Sequence, residues 1–227
     1  MEEIRAVKHR EQYVDFVKGC AMISVVLIHI DFVFPTYSFL NTRDILGGLW
    51  RVPVFFLVSG FFLRDDKMKH PMIFLKPKFK TLYLKALILY ISYVLLHNVF
   101  LDWGWYFYDV EYRHGFMHKW DMFEILKHIM VQFLFFYREP VGGAMWYVDS
   151  LLIALVGYSL LMWIVNKIRT NEYNKEVIVG MTIFILALIS FLLTKKFNVM
   201  IPRVSNSLSG LLLIYIGHKM ARGGGKI

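Results

Sequence analysis

The chain of 227 residues is poor in cysteine and in charged side chains. Its one cysteine, Cys20, excludes an intramolecular disulfide. No spacing typical of a zinc or thiol-redox site occurs, so no metal is predicted. Charged residues make up only 19% of the chain, whereas hydrophobic residues make up 57%. A soluble core cannot bury so large an apolar excess, so the composition indicates a protein that lies in the lipid bilayer.

Few acidic residues balance the basic ones, and the formal net charge is +9. The lysines and arginines cluster between apolar runs instead of gathering on one polar surface. This pattern argues against a nucleic-acid partner and is typical of cytoplasmic loops beside anionic lipid headgroups. No small-residue cleavage site follows the first apolar run, so we expect that run to be a retained membrane helix.

Long apolar runs predict six membrane spans, since a spanning helix needs roughly 17 to 25 mostly apolar residues. The candidate spans are 13–34, 46–63, 81–101, 144–166, 177–194 and 205–219. The segment 122–137 places its charged residues on one helical face. We therefore predict a helix that lies in the membrane interface, with a crossing helix as the alternative.

The charges of the loops predict the orientation. With the N-terminus in the cytoplasm, the inner segments carry 15 lysines and arginines and the outer segments carry 8. The sequence therefore predicts an all-α, polytopic transmembrane helix bundle of about six spans plus one interfacial helix. Residues 1–227 form a single domain in this prediction, and the N-terminus is cytoplasmic.

The first apolar run, "VDFVKGCAMISVVLIHIDFVF", contains a lysine and a histidine, Lys18 and His29. Eleven helical steps of about 100° come close to three full turns, so the two side chains share a face about 16.5 Å apart along the axis. Asp15 lies three residues before Lys18 and can neutralise it. Ionisable groups at this depth usually face a polar cavity. The alternative is that Lys18 reaches the headgroups and His29 caps the outer end of the helix.

Three further stretches contain candidate site residues. "GGLWRVPVFFLVSGFFL" contains Arg51, near the outer end, and Pro53, which is expected to kink the helix. Its small residues Ser59 and Gly60 allow a close helix contact. "GGAMWYVDSLL" opens a span at Trp146, which is typical of an interfacial aromatic residue. "FLKPKFKTLYLK" forms a basic loop that suits a phosphorylated cofactor, and its candidate residues are Lys76, Lys78 and Lys80.

Together these stretches resemble the integral membrane acyltransferases of acyltransferase family three, which O-acetylate cell-surface sugars. A basic residue, ten residues and a histidine recur in the family's first helix, and Lys18 and His29 occupy those positions. The resemblance implies transfer of an acetyl group from acetyl-CoA to a carbohydrate hydroxyl, with His29 as general base, Lys18 acting on the donor and Asp15 holding Lys18. It also implies an integral protein of the bacterial cytoplasmic (inner) membrane.

The sequence departs from the family's pattern in its basic loop and in its length. Two arginines three residues apart are usual in that loop, whereas this chain has Lys78 and Thr81. About ten spans are usual, so we expect a C-terminally shortened member. Two alternatives remain open: a transporter-like protein for lipid-linked glycan, and an inactive remnant. The acceptor sugar and the oligomeric state are not predicted.

Overall fold

The structure is a computed structural model that describes residues 12–33, 50–68, 70–105, 118–132, 146–196 and 204–223. For residues 28–33, 132 and 223 it describes the backbone alone. Across these ranges the chain is helical and contains no strand, which confirms the all-α prediction. The helices are α1 (Gln12–Val33), α2 (Arg51–Phe61), α3 (Asp65–Met68), α4 (Pro71–Lys78), α5 (Leu84–Leu95), α6 (His97–Asp102), α7 (Met122–Gln132), α8 (Trp146–Asn166), α9 (Glu172–Lys196) and α10 (Val204–Gly223), with a π-helical segment, Phe79–Tyr83, between α4 and α5.

Two of the described helices, α8 and α9, are long and apolar enough to cross a membrane. They correspond to the predicted spans 144–166 and 177–194. The prediction of six spans is not confirmed. The predicted span 46–63 contains the helix Arg51–Phe61, whose 11 residues are too few to cross a bilayer alone. The predicted span 81–101 is divided at Leu96, where one short helix ends and another begins.

Helix α8 lies at the centre of the described core. Its buried residues include Leu155 and Tyr158, which pack with Phe56 of α2, Ile183 of α9 and Ile214 of α10. The short helices α3 and α4 add their buried side chains to the same cluster. Helix α1 packs on α2. Helices α2, α9 and α10 therefore pack around α8.

Small residues bring α2 and α10 unusually close together. A Cβ atom added at Gly60 would overlap the backbone of Ile214, and one added at Gly217 would overlap the backbone of Leu57. Gly210 similarly leaves room for the ring of Phe56. The predicted close helix approach at Gly60 is confirmed, and its partner is α10.

Pro53 does not kink a long helix, contrary to the expectation from sequence. It lies in the first turn of α2, where a missing backbone N–H removes no hydrogen bond within the helix. The next residue, Val54, donates its N–H to the carbonyl of Trp50 at 3.0 Å. Pro53 therefore helps to begin this short helix.

Helix α7 covers the first part of the predicted interfacial segment 122–137. Ile125 and Ile129 pack against a small core that contains Tyr90 and Trp120. Beside this contact the helix leaves four large apolar side chains exposed, namely Met122, Phe123, Leu126 and Met130. An exposed apolar face of this kind is typical of a helix at a membrane surface. Residues 133–137 lie outside the described residues, and the interfacial position stays a prediction.

Candidate functional site

The N-terminal end of α1 contains the predicted pair of Asp15 and Lys18. The Nζ of Lys18 lies 3.5 Å from Oδ1 of Asp15, and the two side chains are 37% and 32% exposed. The same Nζ lies 4.5 Å from the centre of the Phe62 ring, directly after α2. A carboxylate and an aromatic face therefore both orient the Lys18 ammonium group. The predicted ion pair is confirmed, and its catalytic role stays a prediction.

His29 lies eleven residues beyond Lys18 on the same unbroken helix, Gln12–Val33. The helical arithmetic that places both residues on one face requires this continuity. The side chain of His29 lies outside the described residues. Among the described positions of that face, Val25 is partly buried and Met22 is exposed. As far as Leu27, the face thus runs along the edge of the contact with α2, because the buried positions among the described side chains of α1 are Val14, Ala21 and Ser24.

The two candidate residues on α2 lie near opposite ends of the helix. Arg51, its first residue, is only 2% exposed and has an interaction partner. Ser59 donates its hydroxyl hydrogen to the carbonyl oxygen of Phe55 at 2.7 Å, one turn earlier. The Ser59 hydroxyl is thereby bound to its own helix. The Ser59 side chain also interacts with Tyr147 of α8, and Gly60 beside it contacts α10.

Trp146 begins α8 and packs edge-on against the neighbouring Tyr147, with ring centres 6.4 Å apart. Tyr147 in turn contacts the rings of Phe55 and Phe56 at 5.8 and 5.1 Å. Trp146 therefore lies beside an aromatic cluster that joins the start of α8 to α2. This position is compatible with the predicted supporting role.

The three candidate lysines of the basic loop differ in their surroundings. Lys76 and Lys80 are exposed, whereas Lys78 is half-buried at the end of α4. Burial lowers the pKa of Lys78, and the positive charge of Lys67 lowers it further. Two cations from different helices therefore repel each other at this position, and an anion bound between them would relieve that repulsion.

The neighbouring residue Thr81 occupies the place where the family's pattern has a second arginine. Its hydroxyl donates a hydrogen bond to the carbonyl of Pro77 at 2.8 Å. Pro77 lies inside α4, and the π-helical segment follows two residues later. Thr81 is thus turned back onto its own helix, so Lys78 is the better placed of the two positions to hold an anion.

A second group of polar residues was not predicted from the sequence. The hydroxyl of Tyr158 lies 2.7 Å from Nδ1 of His218, and Nε2 of His218 lies 3.2 Å from Oδ1 of Asp65. Arg222 pairs with Asp65 and also with Glu176, whose carboxylate lies 2.9 Å from the guanidinium. These residues are up to 157 positions apart, so no local motif marks them. Apart from Tyr158, which lies inside α8, they share a position at the ends of apolar runs.

That feature agrees with the topology predicted from loop charges. Asp65, Glu176 and Arg222 come from three segments that the charge rule assigns to the same inner side, 64–80, 167–176 and 218–226. Direct ion pairs between them place these three chain regions at one end of the bundle. Within the described part of the chain, no group of three or more histidine, cysteine, aspartate or glutamate side chains could hold a metal ion.

Comparison with known proteins gives one match. A family model described as an acyltransferase domain matches residues 11–224. Curated proteins and solved structures gave no match. The matched range includes every candidate residue named above.

Proposed function

The chain belongs to acyltransferase family three, a family of membrane acyltransferases, and we propose that it moves an acetyl group from acetyl-CoA to a hydroxyl of a cell-surface or lipid-linked sugar. The match over residues 11–224 is the observation that carries this proposal, because it spans both ends of the described bundle. The proposed location is the bacterial inner membrane, where a cytoplasmic donor and an outer acceptor can meet.

In the proposed reaction, the acceptor hydroxyl attacks the thioester carbonyl, a C–O bond forms, and the C–S bond breaks. A hydroxyl is a poor nucleophile at neutral pH, so a general base must take its proton. We assign that role to His29, since an imidazole titrates near neutral pH. The proton then passes to the departing thiolate, which leaves as coenzyme A. Atoms and charges balance without a metal or redox partner.

Lys18 is the proposed donor-side group of the reaction. Its ammonium can orient a donor phosphate or polarise the thioester carbonyl, and Asp15 holds it at the end of α1. Lys76, Lys78 and Lys80 are the proposed contacts for the phosphates of acetyl-CoA. Lys78 is the strongest candidate of the three for a phosphate contact, because it is half-buried and experiences the positive charge of Lys67. Lys67 is itself close enough to contribute to the same anion site.

Radiolabelled acetyl transfer separates this proposal from the transporter alternative. Membranes that contain the full chain would be incubated with acetyl-labelled acetyl-CoA and a glycan fraction, and label would be counted in glycan and in free acetate. If the protein is an acyltransferase, the label found in glycan increases in proportion to the amount of the protein in the membranes. Movement of lipid-linked glycan across the membrane of proteoliposomes, without consumption of acetyl-CoA, would instead identify a transporter. If neither labelling nor movement is observed, the protein is inactive.

Replacing Lys18 by methionine is expected to lower acetyl transfer about tenfold. Methionine keeps an apolar side chain against Phe62 but removes the charge held by Asp15. One charge-assisted hydrogen bond contributes about 1.5 to 3 kcal/mol, which corresponds to a tenfold effect or more. The measurement is glycan labelling per amount of folded protein. Lys195→Met, at an exposed lysine near the end of α9, is the matched control, and equal losses in both variants would exclude a donor role for Lys18.

Replacing Lys78 by glutamine is expected to raise KM for acetyl-CoA about tenfold while kcat changes little, because the lost contact binds ground state and transition state alike. The control is Lys119→Gln, whose ammonium pairs with Asp102 at 2.8 Å on another part of the chain. An unchanged KM in the Lys78 variant would contradict the assignment.

The lowered pKa of Lys78 adds a pH dependence with a defined sign. Lys78 is charged at low pH and loses its proton at a lower pH than an exposed lysine does. Donor binding through this charge is therefore complete below the lowered pKa and declines as pH rises through it. Lys78→Arg should extend tight donor binding to higher pH, since arginine stays protonated. KM for acetyl-CoA measured across alkaline pH checks this.

A further inference from the structure

A cavity of about 140 Å³ lies where the end of α8, the start of α9 and the end of α10 meet. Six charged side chains line it, three of each sign: Asp65, Glu172, Glu176, Lys175, Lys219 and Arg222. The proposed acyl transfer uses none of them. The cavity is therefore a separate site, and its lining indicates what chemistry it can hold.

The charges of this cavity are already paired with one another. Lys175 lies 2.7 Å from Glu172, and Lys219 lies 2.7 Å from Glu176. Arg222 bridges Glu176 and Asp65. The Lys175 side chain is only 18% exposed, whereas that of Glu172 is 84% exposed, so a purely cationic ligand that drew Glu172 away would leave the largely buried Lys175 ammonium without its partner. A ligand that has both charges can replace one pair without leaving either member alone.

The cavity lies at one end of two apolar helices, which is where a membrane protein meets lipid headgroups. It lies between the end of α8 and the start of α9, the two described helices that can cross a membrane. Met162, Val165 and Val179 form its apolar wall. On the neighbouring turn, Lys167 lies with its Nζ 3.5 Å from the ring centre of Trp163. A tryptophan beside a lysine is typical of the boundary between hydrocarbon and headgroups.

We propose that this cavity binds the headgroup of a phospholipid that carries a primary ammonium and a phosphate. The ammonium replaces Lys175 beside Glu172, and the phosphate is bound by Lys175. A cavity of about 150 Å³ accommodates a benzene ring, so the volume suits the few heavy atoms of an ethanolamine phosphate. A primary ammonium donates hydrogen bonds to carboxylates, whereas a trimethylammonium cannot. The cavity thus favours phosphatidylethanolamine over phosphatidylcholine and phosphatidylglycerol.

Thermal unfolding of the full chain in detergent tests this proposal independently of any enzymatic activity. Phosphatidylethanolamine, phosphatidylcholine and phosphatidylglycerol with identical acyl chains would be added separately, together with soluble glycerophosphoethanolamine. We expect phosphatidylethanolamine to raise the unfolding midpoint by about 5 °C and the others by much less. An equal or larger shift with phosphatidylglycerol or phosphatidylcholine would overturn the proposal. An equal shift with glycerophosphoethanolamine would overturn the assignment to lipid.

A double variant locates the effect without changing the net charge. Glu172→Gln with Lys175→Gln removes both members of the pair that the headgroup is proposed to contact. This variant should unfold near the wild-type midpoint without lipid and should lose the shift with phosphatidylethanolamine. Asp102→Asn with Lys119→Gln removes an equivalent pair, 2.8 Å apart, far from the cavity and should keep the shift. Retention of the full shift in the Glu172 and Lys175 double variant would exclude this cavity as the site.

Discussion

Replacing His29 by alanine is expected to abolish most acetyl transfer, with a loss of about 10² to 10⁴-fold in the rate of glycan labelling. This is the range that a positioned general base contributes, and without it the acceptor hydroxyl must lose its proton to water. The position of His29 on the same unbroken helix as Lys18 supports the choice of this histidine. Single-turnover labelling of glycan by purified protein would measure the chemical step itself.

The control for this prediction is His118→Ala, at an exposed histidine that pairs with Glu124 at 3.0 Å. Because its ring is exposed, this substitution should leave labelling within about twofold of wild type. A thermal unfolding measurement on each variant distinguishes lost chemistry from lost structure, and His29→Gln keeps a polar side chain if alanine destabilises α1. Undiminished labelling in both His29 variants, at a normal unfolding midpoint, would remove His29 from the mechanism.

Replacing Gly60 by leucine is expected to lower the unfolding midpoint by about 10 °C or to prevent folding. The added side chain would meet the backbone of Ile214, which cannot rotate away as a flexible side chain can. Overpacking of a close contact costs about 1 to 3 kcal/mol and sometimes more, and each kcal/mol corresponds to about 2 to 4 °C for a chain of this size. Gly217→Leu should have a similar effect, since it meets the backbone of Leu57 from the other helix.

Gly157→Ala is the matched control for these two substitutions. It lies inside α8, and a Cβ at this position has nothing within 4 Å. Alanine stabilises a helix by about 0.5 to 1 kcal/mol relative to glycine, so the midpoint should stay the same or rise slightly. A normal midpoint for both leucine variants would show that α2 and α10 do not pack through these glycines.

The sequence predicted those helices and contacts that depend only on residues close together in the chain. The long apolar runs located α8 and α9, and the i, i+3 spacing predicted the contact between Asp15 and Lys18. The length of α2 was overestimated because apolar residues continue on both sides of an 11-residue helix. Hydrophobicity reports the surroundings of a segment, and it does not determine where the helix begins or ends.

Contacts between distant parts of the chain could not be predicted in the same way. The small residues at Gly60 indicated a close partner, but nothing nearby in the sequence identifies Ile214 as that partner. The series of contacts through Tyr158, His218 and Asp65 is equally non-local. Each residue has an ordinary role when taken alone, as a core aromatic, a helix-end histidine or a loop carboxylate. Only the packing of α8 against α10 brings them together.

The close contact between α2 and α10 also has a consequence for how the protein is made. The two helices are separated by about 150 residues, and ribosomes add about 5 to 20 residues per second. Helix α2 is therefore synthesised about 8 to 30 s before α10, the helix that it contacts most closely, exists. During that interval an 11-residue helix, too short to cross alone, has an uncovered glycine surface. The contact between α2 and α10 can therefore form only after α10 has been synthesised.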